Sequence, residues 1–332
     1  MIEGILWSIG AGIMLGLYAI PEKYMKGYKY ENTWSLFFLI ALIILPMIAG
    51  FGLIKNFSAI LASIPSDVIF KMVGASFLWG LGVQLWSKAI NYIGVSLGFS
   101  IFIGAVILIG SLLPFIVGGL PPISALQYIL IGLVVILLGV AANGRAGLLK
   151  MSDSEGTSGN KQMVTGILIA LIGGLFATGF SLANAVGVGP ITQAVVAQGN
   201  PQWMSSIAIM FVIYVSGAIY VLPYFAIKLC RNNSWGDFKE SFGRNFSLAF
   251  IMGFFNFAAS AAFAYGAFTL GEFGNTVGYA IYNTTSVLLA VAGGLITREW
   301  VSAPKKARTM LYIALSCMII GVILIAMGNS VS

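Results

Sequence analysis

The chain has 332 residues, 59% of them hydrophobic and only 8% charged, with a mean hydropathy of +0.98. A soluble domain carries about 25% charged residues, so this chain cannot cover a water-facing surface and has to face lipid. The net charge of +7 lies in loops between apolar segments, with no basic helix or aromatic RNA motif, which argues against a nucleic-acid partner.

In lipid every backbone polar group must be paired internally, which leaves helices or a closed barrel. Barrel strands alternate over about 10 residues, whereas a spanning helix needs about 20 apolar residues. The apolar runs here are long and unbroken, so the expected fold is an all-α membrane protein. The first span is predicted at 4–20. Glu3 is its only preceding charge, and it runs into Pro21-Glu22-Lys23 with no small-residue cleavage site, so it reads as a true span and not a signal peptide. Spans follow at 33–54 (holding Pro46), 68–92, 94–118 (holding Pro114) and 123–142. Residues 143–162 are rich in Gly, Ser and Asn and read as a flexible linker. Five more spans follow at 163–187, 203–229 (holding Pro223), 246–267, 271–297 and 308–328.

Fifteen of the 17 Lys and Arg residues fall on one side, in or beside the odd-numbered connections; only Lys55 and Lys71 fall on the other. The positive-inside rule puts the odd connections and the linker in the cytoplasm and both termini outside it.

The two halves, 1–142 and 163–332, look related. Gly4-Ile5-Leu6 recurs as Gly166-Ile167-Leu168, and the same offset pairs Gly12 with Gly174 and Tyr18 with Phe180. Ile93-Gly94 has a counterpart in Leu270-Gly271, and Gly139 in Gly321. An odd number of spans per half inverts the second copy. Two inverted five-helix repeats can rock about a site near the midplane, the basis of alternating access, so the repeat argues for transport.

Several local motifs sharpen this. They are Leu17-Tyr18-Ala19 with Trp34-Ser35, Trp79-Gly80-Leu81-Gly82, Tyr92 through Gly98 (YIGVSLG), Arg145 through Lys150 (RAGLLK), Asn184-Ala185 and Arg298-Glu299-Trp300. With them the chain resembles the L-rhamnose–proton symporter family of the drug/metabolite transporter superfamily, over nearly its whole length. The resemblance implies a ten-helix, five-plus-five fold in the plasma membrane (the cell inner membrane). It implies import of a monosaccharide, L-rhamnose or a related sugar, with a proton or another cation. The family pattern carries ionisable side chains in the ninth span near the positions of Asn275 and Tyr282, both uncharged here at neutral pH.

Polar groups in lipid are costly unless they face a partner or a wet cavity. In the ninth span Asn275, Tyr279, Tyr282 and Ser286 recur at steps of four, three and four and share a face, with Asn283 beside them. Planar amides and hydroxyls reach sugar hydroxyls, and aromatic faces cover sugar C–H patches. The alternative is a seam of interhelical hydrogen bonds. In the third span Gln84, Lys88 and Asn91 share one face, while Trp79 and Trp86 lie nearly opposite; a straight helix cannot line one cavity with both. Lys88, a coupling candidate, is close enough to the span end to snorkel to water. Asn184 and Asn256, with Ser260, complete the candidates for a polar cavity.

All ten acidic residues fall at or beyond span ends, and Glu272, in the turn between the eighth and ninth spans, is the nearest candidate proton site. The absence of histidine and the two separated cysteines, Cys230 and Cys317, leave no metal or cofactor site and no disulfide framework. An intramembrane enzyme would need paired acids, His or a metal cluster, so an enzyme is not expected. The expected function is secondary import of a monosaccharide, against the alternative of an exporter or exchanger of another small metabolite on the same scaffold.

Overall fold

The computed structural model describes residues 2–118, 122–151, 160–271, 274–296 and 300–330. Among the described residues the chain is all-helical, and eight helices are long and apolar enough to cross a membrane. The linker core at 152–159, Glu272, Arg298 and Glu299 lie outside them.

α1 (Ile2–Leu17) ends in a 3₁₀ turn, Ile20–Tyr24, whose first positions hold Pro21. α2 (Tyr30–Leu39) passes through a π-helical turn, Ile40–Ile44, into α3 (Leu45–Leu53). Pro46 explains that turn: proline has no N–H and crowds the preceding helical carbonyls, and a wider turn relieves the crowding. The short α4 (Phe57–Ser63) follows and packs against α3.

α5 (Ser66–Gly118) covers both the third and fourth expected spans as one helical run of 53 residues. It is not straight. Trp86 and Phe102 are sixteen residues apart, about 24 Å along an ideal helix, yet their ring centroids are 6.0 Å apart. A Cβ placed on Gly166 would meet Tyr92 and Ile93, and one placed on Gly174 would meet Phe102 and Ala105, while Gly82 abuts Gly173 and Ala177. The chain therefore runs down one stretch of α7 (Asn160–Ala177) and back up, with the reversal between Trp86 and Phe102.

α6 (Ile123–Met151) follows. α7 (Asn160–Ala177) and α8 (Gly179–Ala197) are separated at Thr178, whose hydroxyl bonds the Leu175 carbonyl at 2.6 Å. Together they extend the sixth expected span ten residues past its expected end. α9 (Met204–Arg231) and α10 (Phe242–Thr269) complete the central bundle. α11 (Tyr279–Ile296) is entered through a π-helical turn, Gly274–Gly278, and α12 (Lys305–Ser330) packs along α6.

Bare glycine surfaces set these helix pairs, as expected where lipid gives helices no hydrophobic reason to associate. Gly4 meets Gly266 of α10 and Leu270 just past its end, and Gly12 meets the Tyr282 carbonyl and Thr285 of α11. α6 and α12 touch reciprocally: a Cβ on Gly132 would lie 2.9 Å from the Gly321 carbonyl, and one on Gly321 2.8 Å from the Gly132 carbonyl.

Polar clamps tie the loops together at both ends of the bundle. At the Lys-rich end, Glu31 Oε1 accepts from Ser234 Oγ at 2.6 Å and Asn232 Nδ2 at 2.7 Å, and Asn32 donates to the Ser234 carbonyl. Lys26 and Asn245 exchange two bonds, and Lys29 pairs with Asp237 at 3.0 Å. Tyr28 donates to the Phe238 carbonyl, and burial pushes its hydroxyl above the ordinary tyrosine range. At the opposite end Lys55 and Asn200 exchange bonds of 2.8 and 3.0 Å.

Candidate functional site

The central bundle encloses a cavity of about 410 Å³, within the range of about 300–1,000 Å³ typical of small-molecule sites. Its walls come from α1, α2, both arms of α5, and α7 to α11. It reaches toward the Lys-rich end, where Glu22, Tyr30 and Tyr224 border it.

One wall is an aromatic sheet. Trp79 lies 5.5 Å from Tyr214 and 5.7 Å from Phe180 between ring centroids. The fit depends on Gly217: a Cβ there would fall 2.7 Å from the Trp79 indole. Tyr282 stacks on Phe263 at 4.9 Å. The opposing character is a string of hydroxyls and amides. The Tyr214 hydroxyl donates to Asn256 Oδ1 at 2.9 Å and shares a 2.5 Å bond with Ser260, which stands 3.5 Å from the Tyr282 hydroxyl. Asn283 donates to the Tyr279 carbonyl, and Ser286 to the Asn283 carbonyl. The Tyr220 hydroxyl donates to Gln84 Oε1. Flat apolar faces beside fixed donors and acceptors suit a small, uncharged, polyhydroxylated ligand.

Of the residues singled out from the sequence, Trp79, Gln84, Asn256, Tyr279, Tyr282 and Asn283 border this cavity. The third span presents both Trp79 and Gln84 because the cavity takes in a wide arc of that helix, Trp79, Gly80, Val83, Gln84 and Trp86.

Asn275 and Asn184 do not line the cavity; they bond each other, Asn184 Nδ2 to Asn275 Oδ1 at 2.6 Å. The helical spacing that placed Asn275 on the Tyr279 face assumed an α-helix. The turn Gly274–Gly278 is π-helical, and its extra residue per turn rotates Asn275 toward α8. Lys88 is exposed and away from the cavity. The Asn91 side chain and Glu272 lie outside the described residues.

The cavity also holds residues the sequence reading passed over: Tyr18, Glu22, Trp34 and Tyr214. Glu22 is half-buried and accepts from Trp34 Nε1 at 3.0 Å. A local signal was present, since Tyr18 and Glu22 stand one turn apart, as do Tyr30 and Trp34.

Comparison with known proteins agrees with this picture. The family model described as "L-rhamnose-proton symport protein (RhaT)" matches residues 1–331. A protein of Escherichia coli named L-rhamnose-proton symporter is 27% identical over 342 residues, covering 98% of this chain and 97% of that one. One of the same name from Citrobacter koseri is 27% identical over 337 residues, again covering 98% and 97%. An end-to-end family match on an all-helical, membrane-spanning chain with a central polar-aromatic cavity fixes the assignment: this chain belongs to the L-rhamnose-proton symport protein family.

Proposed function

We propose that the chain imports L-rhamnose with a proton across the bacterial inner membrane, by alternating access around the central cavity. The observation that carries this is the cavity itself: aromatic faces from Trp79, Tyr214, Phe180 and Tyr282 beside the amides of Gln84, Asn256 and Asn283. A deoxysugar has both the C–H patch and the hydroxyls that such walls match. The relatives' name gives the sugar and the ion. Transport, and not catalysis, is the activity.

The reading includes ten passes in two inverted repeats. To the eight long apolar helices it adds the returning arm of α5 and the α11 segment. Contacts repeat between halves in support. Gly4 against Leu270 corresponds to Gly166 against Ile93, and Gly12 against Thr285 corresponds to Gly174 against Ala105. The offset that pairs Gly139 with Gly321 pairs Gly132 with Ala314; Gly132 touches Gly321, and Gly139 touches Ala314. Such reciprocity is what a pseudo-two-fold axis produces. The substrate residues are Trp79, Gln84, Asn256, Tyr279, Tyr282 and Asn283.

The test is uptake by the purified protein in liposomes. Labelled L-rhamnose is expected to accumulate under an inward proton gradient, and not under a sodium gradient alone. Unlabelled L-rhamnose should compete, while an unrelated metabolite should not. Accumulation driven by sodium, or none of L-rhamnose under either gradient, would overturn the reading.

A further inference from the structure

The symport reading needs a group that takes and releases a proton where it can sense the sugar. Glu22 is the one carboxylate among the described residues that borders the cavity. The other described acids are committed elsewhere. Glu31 is held by Ser234 and Asn232, Glu3 accepts from Tyr265, Asp67 pairs with Lys71, and Asp237 with Lys29. Glu240 sits in the end loop against Gly27.

Glu22 is placed by the 3₁₀ turn after α1, which turns its side chain toward α2. Oε1 is occupied by the Trp34 N–H, leaving Oε2 for a proton. Among the described residues no salt bridge reaches it. The titratable groups around this part of the cavity are Tyr18 on its own element, Tyr30 from α2, Tyr224 from α9 and Tyr282 from α11. The cations at this end include Lys23, next in sequence, Lys228, whose ammonium lies 4.4 Å from the Tyr30 ring centre, Lys29, paired with Asp237, and Lys26 and Lys239 in the end loops.

The repeat offset that pairs Gly12 with Gly174 and Tyr18 with Phe180 also pairs Glu22 with Asn184. Asn184 is fully buried and bonded to Asn275. At matching positions, then, one half carries a packed neutral amide and the other a cavity-facing acid. An ionisable group kept on one side of a pseudo-symmetric pair calls for a role that packing does not supply.

We propose that Glu22 carries the coupling proton. This rests on the symport reading above. A proton from the outer solution adds to Glu22 Oε2, and the same O–H bond breaks toward the cytoplasm after the sugar leaves; no other bond forms or breaks. Neutralising the carboxylate lets the cavity close without stranding a buried charge. It also creates an O–H donor that needs an acceptor, which a sugar hydroxyl oxygen supplies. Proton and sugar binding are thereby linked, and each strengthens the other.

The experiment compares wild type with Glu22→Gln in liposomes and in detergent. The amide is nearly isosteric and can keep the Trp34 bond. Sugar-for-sugar counterflow should persist in the variant, while accumulation under a proton gradient falls to the level without one. In detergent, wild-type affinity for L-rhamnose should weaken by about tenfold per pH unit above the titration midpoint, and that of the variant should be flat with pH. Native accumulation by Glu22→Gln, or a pH profile like that of wild type, would overturn Glu22 and leave sugar transport standing. Absence of L-rhamnose counterflow in wild type would overturn the symport reading and this proposal with it. Where Glu22→Gln does not give folded protein, Glu22→Asp carries the test. Its carboxylate is one methylene farther from Trp34, so the midpoint of the binding profile should move, and an unmoved midpoint overturns the proposal.

Discussion

Asn256 and Tyr282 act at the ends of one hydroxyl string, through Tyr214 and Ser260. A net hydrogen bond contributes about 0.5–1.5 kcal/mol, and a buried group left unpaired costs about 1–3. Asn256→Ala removes both a cavity-lining amide and one acceptor for Tyr214, and Tyr282→Phe removes one hydroxyl. Each is expected to weaken L-rhamnose binding by about tenfold, measured by calorimetry on folded protein. Leu288→Ala, whose side chain packs against the α6–α11–α12 core, should lower the melting temperature and leave affinity near native. Polar variants that melt early yet bind normally would mark the string as structural. The α11 part of this site was legible in the sequence because Tyr279, Tyr282 and Asn283 sit in a regular helix, where spacing gives the face. Asn275 was misplaced because the π-helical turn that shifts it leaves no mark in a polar/apolar pattern. Glu22 was missed for a different reason. It lies beyond the apolar run of the first span, and hydropathy cannot show that the turn at Pro21 folds the chain back over the cavity.

At the scale of helices, glycine placement decides which faces meet. A Cβ on Gly12 would fall 2.5 Å from Thr285 Cβ and 2.7 Å from the Tyr282 carbonyl, while nothing lies within 4 Å of one on Gly10. Both glycines belong to α1. Gly12→Ala should force α1 away from α11, at a cost of about 1–3 kcal/mol for overpacking. Gly10→Ala should be neutral or slightly stabilising, because it meets no neighbour and alanine favours the helix. Thermal melting in detergent compares them; equal effects would remove close approach as the explanation. Gly174→Ala should behave like Gly12→Ala, since its Cβ would meet Ala105 at 2.6 Å and the Phe102 carbonyl at 2.8 Å. The apolar runs announced most of these elements, because a span is a property of composition over about 20 residues. The join between the third and fourth spans was less legible. Its backbone stays helical through the reversal, so the direction change is visible only in tertiary contacts such as Trp86 with Phe102.

For the whole molecule, the side to which the cavity opens depends on topology. The basic residues Lys23, Lys26, Lys29, Lys228 and Lys239 gather at the end bordered by Glu22 and Tyr30, and Lys55 and Lys71 lie at the other. If the basic end is cytoplasmic, the cavity reaches toward the cytoplasmic side, and the Lys55–Asn200 clamp lies at the outer end. Glu22 then borders the cavity on its cytoplasmic side, the side to which the proposed coupling proton is released. Topology is testable with two exposed positions. Cys230 is exposed and Cys317 partly so, so both are first replaced by serine. In that background Ser58→Cys, beside the outer clamp, should react with a membrane-impermeant thiol reagent on intact cells. Lys239→Cys should react only after the membrane is opened. The reverse pattern would invert the assignment: the clamp at Lys55 would face the cytoplasm, the cavity would open outward, and Glu22 would be poised to take up its proton instead of releasing it. The proposed repeat alone cannot choose between these outcomes, because inverted halves would present nearly the same architecture to both sides. Only the lopsided lysines and arginines, a feature of the sequence and not of the packing, break that symmetry.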